Sequence, residues 1–265
     1  MSRPAADRPA LNFETLAQRF DGPGVRAIAL LGSHARGDAG IYSDVDLQRL
    51  VDAAPGALPP GDSHLIDGHL VVVGTVTPTE VEAWFTEPQQ ATNMIAGLQP
   101  ARALIDRDHY FGQIQRRAHA FRWDAEMQAK ANIYASEQMV GWIEEAHKGL
   151  QGLMLDDVGR LLLGRFGLSW GLLGIVKVQR GVMLRTENEM LARVIGSVGV
   201  ETEWARLCRT AFGLHEAGQS PPSVYDEVRA GLRLYVETAK LLAHAIQPQH
   251  APLIKQTVER IESFL

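Results

Sequence analysis

Two aspartates separated by one residue, Asp44 and Asp46, are the side chains in this sequence whose type and spacing point most directly to chemistry. They stand in Ser43-Asp44-Val45-Asp46-Leu47, where an apolar run that reads as a strand begins. Side chains alternate faces along a strand with period two, so both carboxylates project from the same face. Two carboxylates side by side repel unless something positive lies between them. A hard divalent cation with oxygen ligands, Mg²⁺ carried on a nucleoside triphosphate, meets that need. Just upstream, Gly32-Ser33 closes another apolar run, Ala27 to Leu31. A glycine there lets backbone approach a phosphate, and the N–H groups that open a helix bind one. Arg36 adds a guanidinium fork to the same phosphates.

These residues need a strand, a tight turn, a short helix and a second strand over Val25 to Val51. Around that stretch the pattern predicts a loose arm over residues 1–10 and a short helix from Leu11 to Phe20, ended by Asp21-Gly22-Pro23-Gly24. The proline-rich Asp52 to Gly61 reads as a loop. Two strands, His64 to Ile66 and His69 to Thr77, flank the hairpin signal Asp67-Gly68. Thr77-Pro78-Thr79-Glu80 marks a helix start, and Ala101 to Ile105 a last short strand. From there the apolar period changes to 3.6. Helices are expected near 109–122, 125–151, 155–180, 187–198, 201–216, 223–246 and 250–264, with breaks at Gly149 to Gly152, Gly181, Gly199, Gly218 to Pro222 and Pro248. The fold class is therefore α+β, with domains at 1–108 and 109–265, the second a helical bundle.

The 265 residues carry a net charge of −5, which gives no basic footprint for DNA or RNA and favours a small-molecule partner. Mild acidity suits a cationic substrate. Cys208 is the only cysteine, so no intrachain disulfide forms and a reducing, cytoplasmic setting is expected. On its helical pattern it reads as core. The first ten residues lack the apolar core of a secretory signal. Leu161 to Val178 is apolar but interrupted by Arg165, glycines and Lys177, so it reads as a buried helix and no membrane partner is expected.

Gly32-Ser33, Arg36-Gly37 and Ser43-Asp44-Val45-Asp46-Leu47 together resemble the G-S-x-x-x-G…S-D-x-D signature of the DNA polymerase beta-like nucleotidyltransferase superfamily. The match is close only over this stretch. A catalytic α/β domain followed by a bundle of this size is similar to the kanamycin nucleotidyltransferase type of aminoglycoside-modifying enzyme. The resemblance implies a mixed sheet with flanking helices and Mg²⁺-dependent transfer of a nucleoside monophosphate from an NTP, ATP first. The acceptor implied is a hydroxyl of a small molecule such as an aminoglycoside, an antibiotic-resistance activity that releases pyrophosphate. It assigns Asp44 and Asp46 to the metal, Gly32, Ser33 and Arg36 to the β- and γ-phosphates, and Lys148 to another phosphate. Glu144, four residues before Lys148 on one helix face, becomes the general base, with Glu145 and Glu137 as alternatives. Gln179-Arg180 falls where that family carries a His-Arg pair, and a homodimer with sites near the interface is implied.

One part is missing. The superfamily places a third carboxylate on the strand after the hairpin, and the position aligned to it here is Val72. Three outcomes stay open: an enzyme with one metal and a bundle glutamate, an enzyme with a relocated carboxylate, or a nucleotide binder without turnover. A transferase acting on a protein is a further alternative. Among the remaining residues, His34 reads as a phosphate contact or a solvated loop side chain, and Asp38 as a turn former. His64 and His69 lack further ligands in pattern for zinc. Trp142, Trp170 and Trp204 read as core.

Overall fold

The apolar run ending at Leu30 forms β1 (Val25–Leu30), and the run that follows Asp44 forms its antiparallel neighbour β2 (Val45–Val51). The computed structural model of the chain describes residues 11–215, 218 and 220–265, so the expected arm over 1–10 lies outside them. The sheet has the order β3 (Asp62–Ile66), β4 (His69–Val76), β2, β1, β5 (Arg102–Asp106). β2 and β4 run parallel and the other pairs antiparallel, which makes the sheet mixed. Asp67 and Gly68, at φ 50° and 78°, make the β3–β4 turn, the two left-handed positions that a tight two-residue hairpin requires.

One face of the sheet is pinned by packing. Ile28 and Leu30, Val45 and Leu47, and Val71 and Val73 are buried in one cluster with Leu16 and Ala17 of α1 (Phe13–Gln18) and with Phe20. A one-residue slip of β2 would turn Val45 and Leu47 out and push the aspartates into that cluster, so the hydrophobic pattern fixes which face the carboxylates take. Arg49, 2% exposed, is held there by neutral acceptors. It donates to Thr75 Oγ1 at 2.8 and 3.1 Å, to the Pro59 carbonyl at 2.8 Å and to the Phe20 carbonyl at 3.2 Å. In this way the proline-rich loop is tied to β2.

Thr77 starts α3 (Pro78–Thr86) with the expected capping box, its N–H donating to Glu80 Oε2 at 2.7 Å. Glu87 is extended ahead of Pro88, which separates α3 from a second helix, α4 (Pro88–Leu98). After β5, the Asp106 carboxylate accepts the N–H groups of Phe111 and Gly112 and opens α5 (Tyr110–Ala120).

The chain forms two compact units: the described residues up to Arg122 together with Met183–Glu187, and Trp123–Val182 with Asn188–Leu265. α5 thus groups with the sheet, whereas the sequence pattern draws the division ahead of it at 108. The second unit is helical: α6 (Ala125–Gly141), α7 (Ile143–Leu155), α8 (Val158–Gln179), α9 (Met190–Val198), α10 (Glu203–Ala211), α11 (Val224–Leu241) and α12 (Ala251–Phe264).

Three expectations there are corrected. The single helix over 125–151 is two, parted at Trp142 (φ −90°, ψ 5°), and no break occurs at Gly149 to Gly152, through which α7 runs. Those glycines set the α7–α8 spacing instead: a Cβ at Gly164 would lie 2.8 Å from Gly149 N, and one at Gly152 2.9 Å from Leu161 N. Trp170 is not core. It is 48% exposed and edge-on to Phe212, whereas Trp204 is buried with Nε1–H on Thr238 Oγ1 at 2.9 Å, and Trp142 is half-buried against Gly171. Cys208 is buried, and burial pushes its thiol up to about 12. α8 is long and apolar enough to cross a membrane, yet 61% of its most apolar window is buried inside the protein. Of the break expected over 218–222, Gln219 lies outside the described residues, and the rest is non-helical.

Candidate functional site

Asp44 directly precedes β2 and Asp46 is its second residue; both are half-buried, alternating with buried Val45 and Leu47. Beyond β1 the chain turns at once into the one-and-a-half turns of α2 (Gly32–Arg36), and the Leu31 N–H donates to the Asp46 carbonyl at 2.9 Å. Gly32 takes φ +64°, and a Cβ there would collide with Asp46 Oδ2. Only glycine satisfies both conditions. Gly37, at φ +80°, ends α2, and the Ser33 carbonyl accepts from the N–H groups of Gly37 and Asp38 at 2.9 and 3.1 Å. Gly32 and Ser33 are therefore set beside Asp46 by backbone geometry.

Burial, and then the neighbouring Asp44 charge, push the Asp46 carboxyl up to about 6, while Arg36 pulls the other way. A buried carboxylate with a second one beside it is a donor set that a divalent cation relieves. The fit extends to two protein carboxylates and stops there. Val72 sits beside Asp46 in register on β4, and Ser63 beside Val72 on β3, so the neighbouring strands bring no carboxylate to that row. Among the described residues no group of three or more His, Cys, Asp or Glu gathers as a metal cluster. A cation here would complete its shell with ligand and water oxygens.

Arg36 is held on two sides. Its Nε donates to Asp38 Oδ2 at 3.1 Å and its Nη1 to the Arg185 carbonyl at 3.1 Å, and the side chain is only 15% exposed. His34 is not a solvated loop residue: its Nε2 is buried without a hydrogen-bond partner, its ring lies edge-on to Phe13 at 5.5 Å, and burial first, then His69, keeps its pKa below the usual histidine range. Gln48 continues the row of Asp44 and Asp46. It pairs with Gly74, where a Cβ would come 3.1 Å from its Nε2, a buried donor without a partner. Its parity with the aspartates was the available signal for Gln48; nothing in the sequence marked Arg185.

Glu144, Glu145 and Lys148 belong to the second unit. Lys148 Nζ lies 2.9 Å from Glu144 Oε1 and 2.8 Å from Glu145 Oε1, and the two glutamates, Glu145 foremost, raise its pKa. Glu144 is 75% exposed and Glu145 18%, packed where a Cβ at Gly167 would strike its side chain. Glu137 is exposed. The Gln179 amide donates to Asn132 Oδ1 at 3.1 Å and lies 3.2 Å from His244 Nε2, and Arg180 donates to the Ser197 carbonyl at 2.7 Å, so this pair is engaged within the helical unit.

No family model matches the chain, and no curated protein matches it. Among solved structures it is similar to a nucleotidyltransferase-like protein from Exiguobacterium sibiricum 255-15, with 10% identity over 88% of this chain and 77% of that chain, at a TM-score of 0.51. The likeness is one of fold. The chain has a nucleotidyltransferase-like α+β architecture, a mixed five-stranded sheet with a helical C-terminal part.

Proposed function

We propose that this protein transfers a nucleoside monophosphate from a Mg²⁺-bound NTP, ATP first among them, to a hydroxyl of a small molecule, releasing pyrophosphate. The observation that carries this reading is the pair Asp44 and Asp46 on one face, with Gly32 packed against Asp46. In it Asp44 and Asp46 hold the cation, which when bound neutralises charge on the phosphates. The Gly32 and Ser33 amides and Arg36 hold the β- and γ-phosphates. The acceptor oxygen attacks the α-phosphorus, the bond to pyrophosphate breaks, and the hydroxyl proton passes to a glutamate. Glu144 takes that role by resemblance, with Glu145 and Glu137 as alternatives, and a positioned carboxylate contributes roughly 10²- to 10⁴-fold. Lys148 holds a further phosphate. An acceptor with several amines, of the aminoglycoside kind, suits the net charge of −5. A homodimer in the cytoplasm belongs to the same reading.

A second reading is binding of the nucleotide without turnover, and the apolar Val72 beside Asp46 favours it. Pyrophosphate release, measured with each NTP against aminoglycosides and other hydroxylated small molecules, separates the two, with Asp46→Asn as the blank. Mg²⁺-dependent release from the wild type alone supports transfer. Tight Mg²⁺–NTP binding by calorimetry with no release selects the second reading, and a wild type that matches the blank in both assays removes both.

A further inference from the structure

Residues 183–187 lie in sequence between α8 and α9, yet they fold with the first unit. α8 closes at Gly181 (φ +60°), with the Gly181 N–H on the Val178 carbonyl at 3.0 Å and the Val182 N–H on the Lys177 carbonyl at 2.9 Å. This paired closure ends the helix and turns the chain out of it. Leu184 is then 4% exposed, and its N–H donates to the Thr92 carbonyl of α4 at 3.1 Å. The next carbonyl, that of Arg185, receives Arg36 Nη1 at 3.1 Å across a sequence separation of 149.

Arg36 thus has one anchor in its own loop, Asp38, and one in this distant strap. The second anchor is a neutral peptide oxygen, which orients the guanidinium without cancelling its charge as another carboxylate would. A fork held in place beforehand loses less freedom when it grips a phosphate. We propose that the strap Met183–Glu187 is a positioning element of the triphosphate site, its Arg185 main-chain carbonyl holding Arg36 in the orientation that grips the terminal phosphates. This rests on the nucleotide-binding reading above. Linkage makes the dependence mutual: a triphosphate that engages Arg36 tightens the strap.

The test uses the full chain with Mg²⁺, a non-hydrolysable fluorescent triphosphate and the matching monophosphate, read by anisotropy, while hydrogen exchange follows the 183–187 amides. Triphosphate slows exchange at the Leu184 amide of the unaltered chain. Leu184→Ala loosens the strap and weakens the triphosphate about tenfold, the loss of one charge-assisted hydrogen bond, while the monophosphate, which lacks the terminal phosphates, changes less than about twofold. Equal weakening of both nucleotides overturns the proposal, as does a loosened strap with unchanged triphosphate affinity. Should Leu184→Ala fail to fold, the unaltered chain decides, and strap exchange indifferent to bound triphosphate overturns the proposal. A wild type that binds neither nucleotide removes the nucleotide reading and the strap's role with it, a result distinct from a wild type and a strap variant that bind equally.

Discussion

Replacing Asp46 with asparagine removes a charge at nearly constant shape, and the electrostatics of the site fix the sign of the outcome. The Asp46 carboxyl, pushed from 3.8 up to about 6 by burial and by Asp44, binds its proton more tightly in the folded chain than in the unfolded one. The stabilisation from that proton is complete below 3.8 and is lost as pH rises through 6. Above 6 the metal-free fold therefore carries a strained anion. Two pKa units at ~1.36 kcal/mol each set an upper bound of about 3 kcal/mol, and solvent screening at a half-buried group reduces it to about 1–2 kcal/mol. Asp46→Asn is accordingly more stable than wild type at about pH 7.5 without divalent ions, by about 3–6 °C in melting temperature. The gain vanishes towards about pH 4, where the wild-type carboxyl is protonated in the folded state. Mg²⁺ with NTP raises the wild-type melting temperature and leaves the variant where it was. Melting curves by circular dichroism across this pH range check all three points. A variant less stable than wild type at the higher pH, or a difference that does not vary with pH, refutes the claim that burial, and then Asp44, hold the ionised Asp46 carboxylate under strain.

Gly32→Ala places a methyl against Asp46 Oδ2 at a left-handed backbone position, so it lowers stability by about 1–3 kcal/mol and weakens nucleotide binding, read by thermal melts and calorimetry. Val72→Asp sets a third carboxylate beside Asp46 in register; it lowers the stability of the metal-free chain and raises Mn²⁺ affinity about tenfold, read by calorimetry with the metal alone. Arg49→Met removes the hydrogen bonds to Thr75, Phe20 and Pro59 and costs about 2–3 kcal/mol, with faster hydrogen exchange in the 52–61 loop and no change in Mn²⁺ affinity.

The site's central geometry was legible because it is local. Period-two alternation placed Asp44 and Asp46 together, and turn chemistry placed Asp67-Gly68 and the Thr77 cap. What could not be read depends on residues distant in sequence. The glycines of α7 look like helix breakers until α8 is seen packed against them, and Trp142, an ordinary helix residue, marks the real break. The α3–α4 division at Glu87 follows from Pro88 and was within reach. Trp170 sits on a strongly apolar helix, yet its contact with Phe212 leaves it 48% exposed. Arg49 looks like a solvated strand cation, and only its tertiary acceptors account for its burial. Arg36 was assigned by type and spacing, while its second anchor, the Arg185 carbonyl, leaves no trace in composition or period. Val72 was aligned by resemblance, and the strand register places it beside Asp46.

Calorimetric titration of the wild type, Asp44→Asn and Asp46→Asn with an NTP, each with and without Mg²⁺, bears most directly on the two shared carboxylates. The expected result is binding by the wild type that requires Mg²⁺ and is lost in both variants while each remains folded. Binding that is indifferent to Mg²⁺, or equally strong in either variant, contradicts a cation held between Asp44 and Asp46.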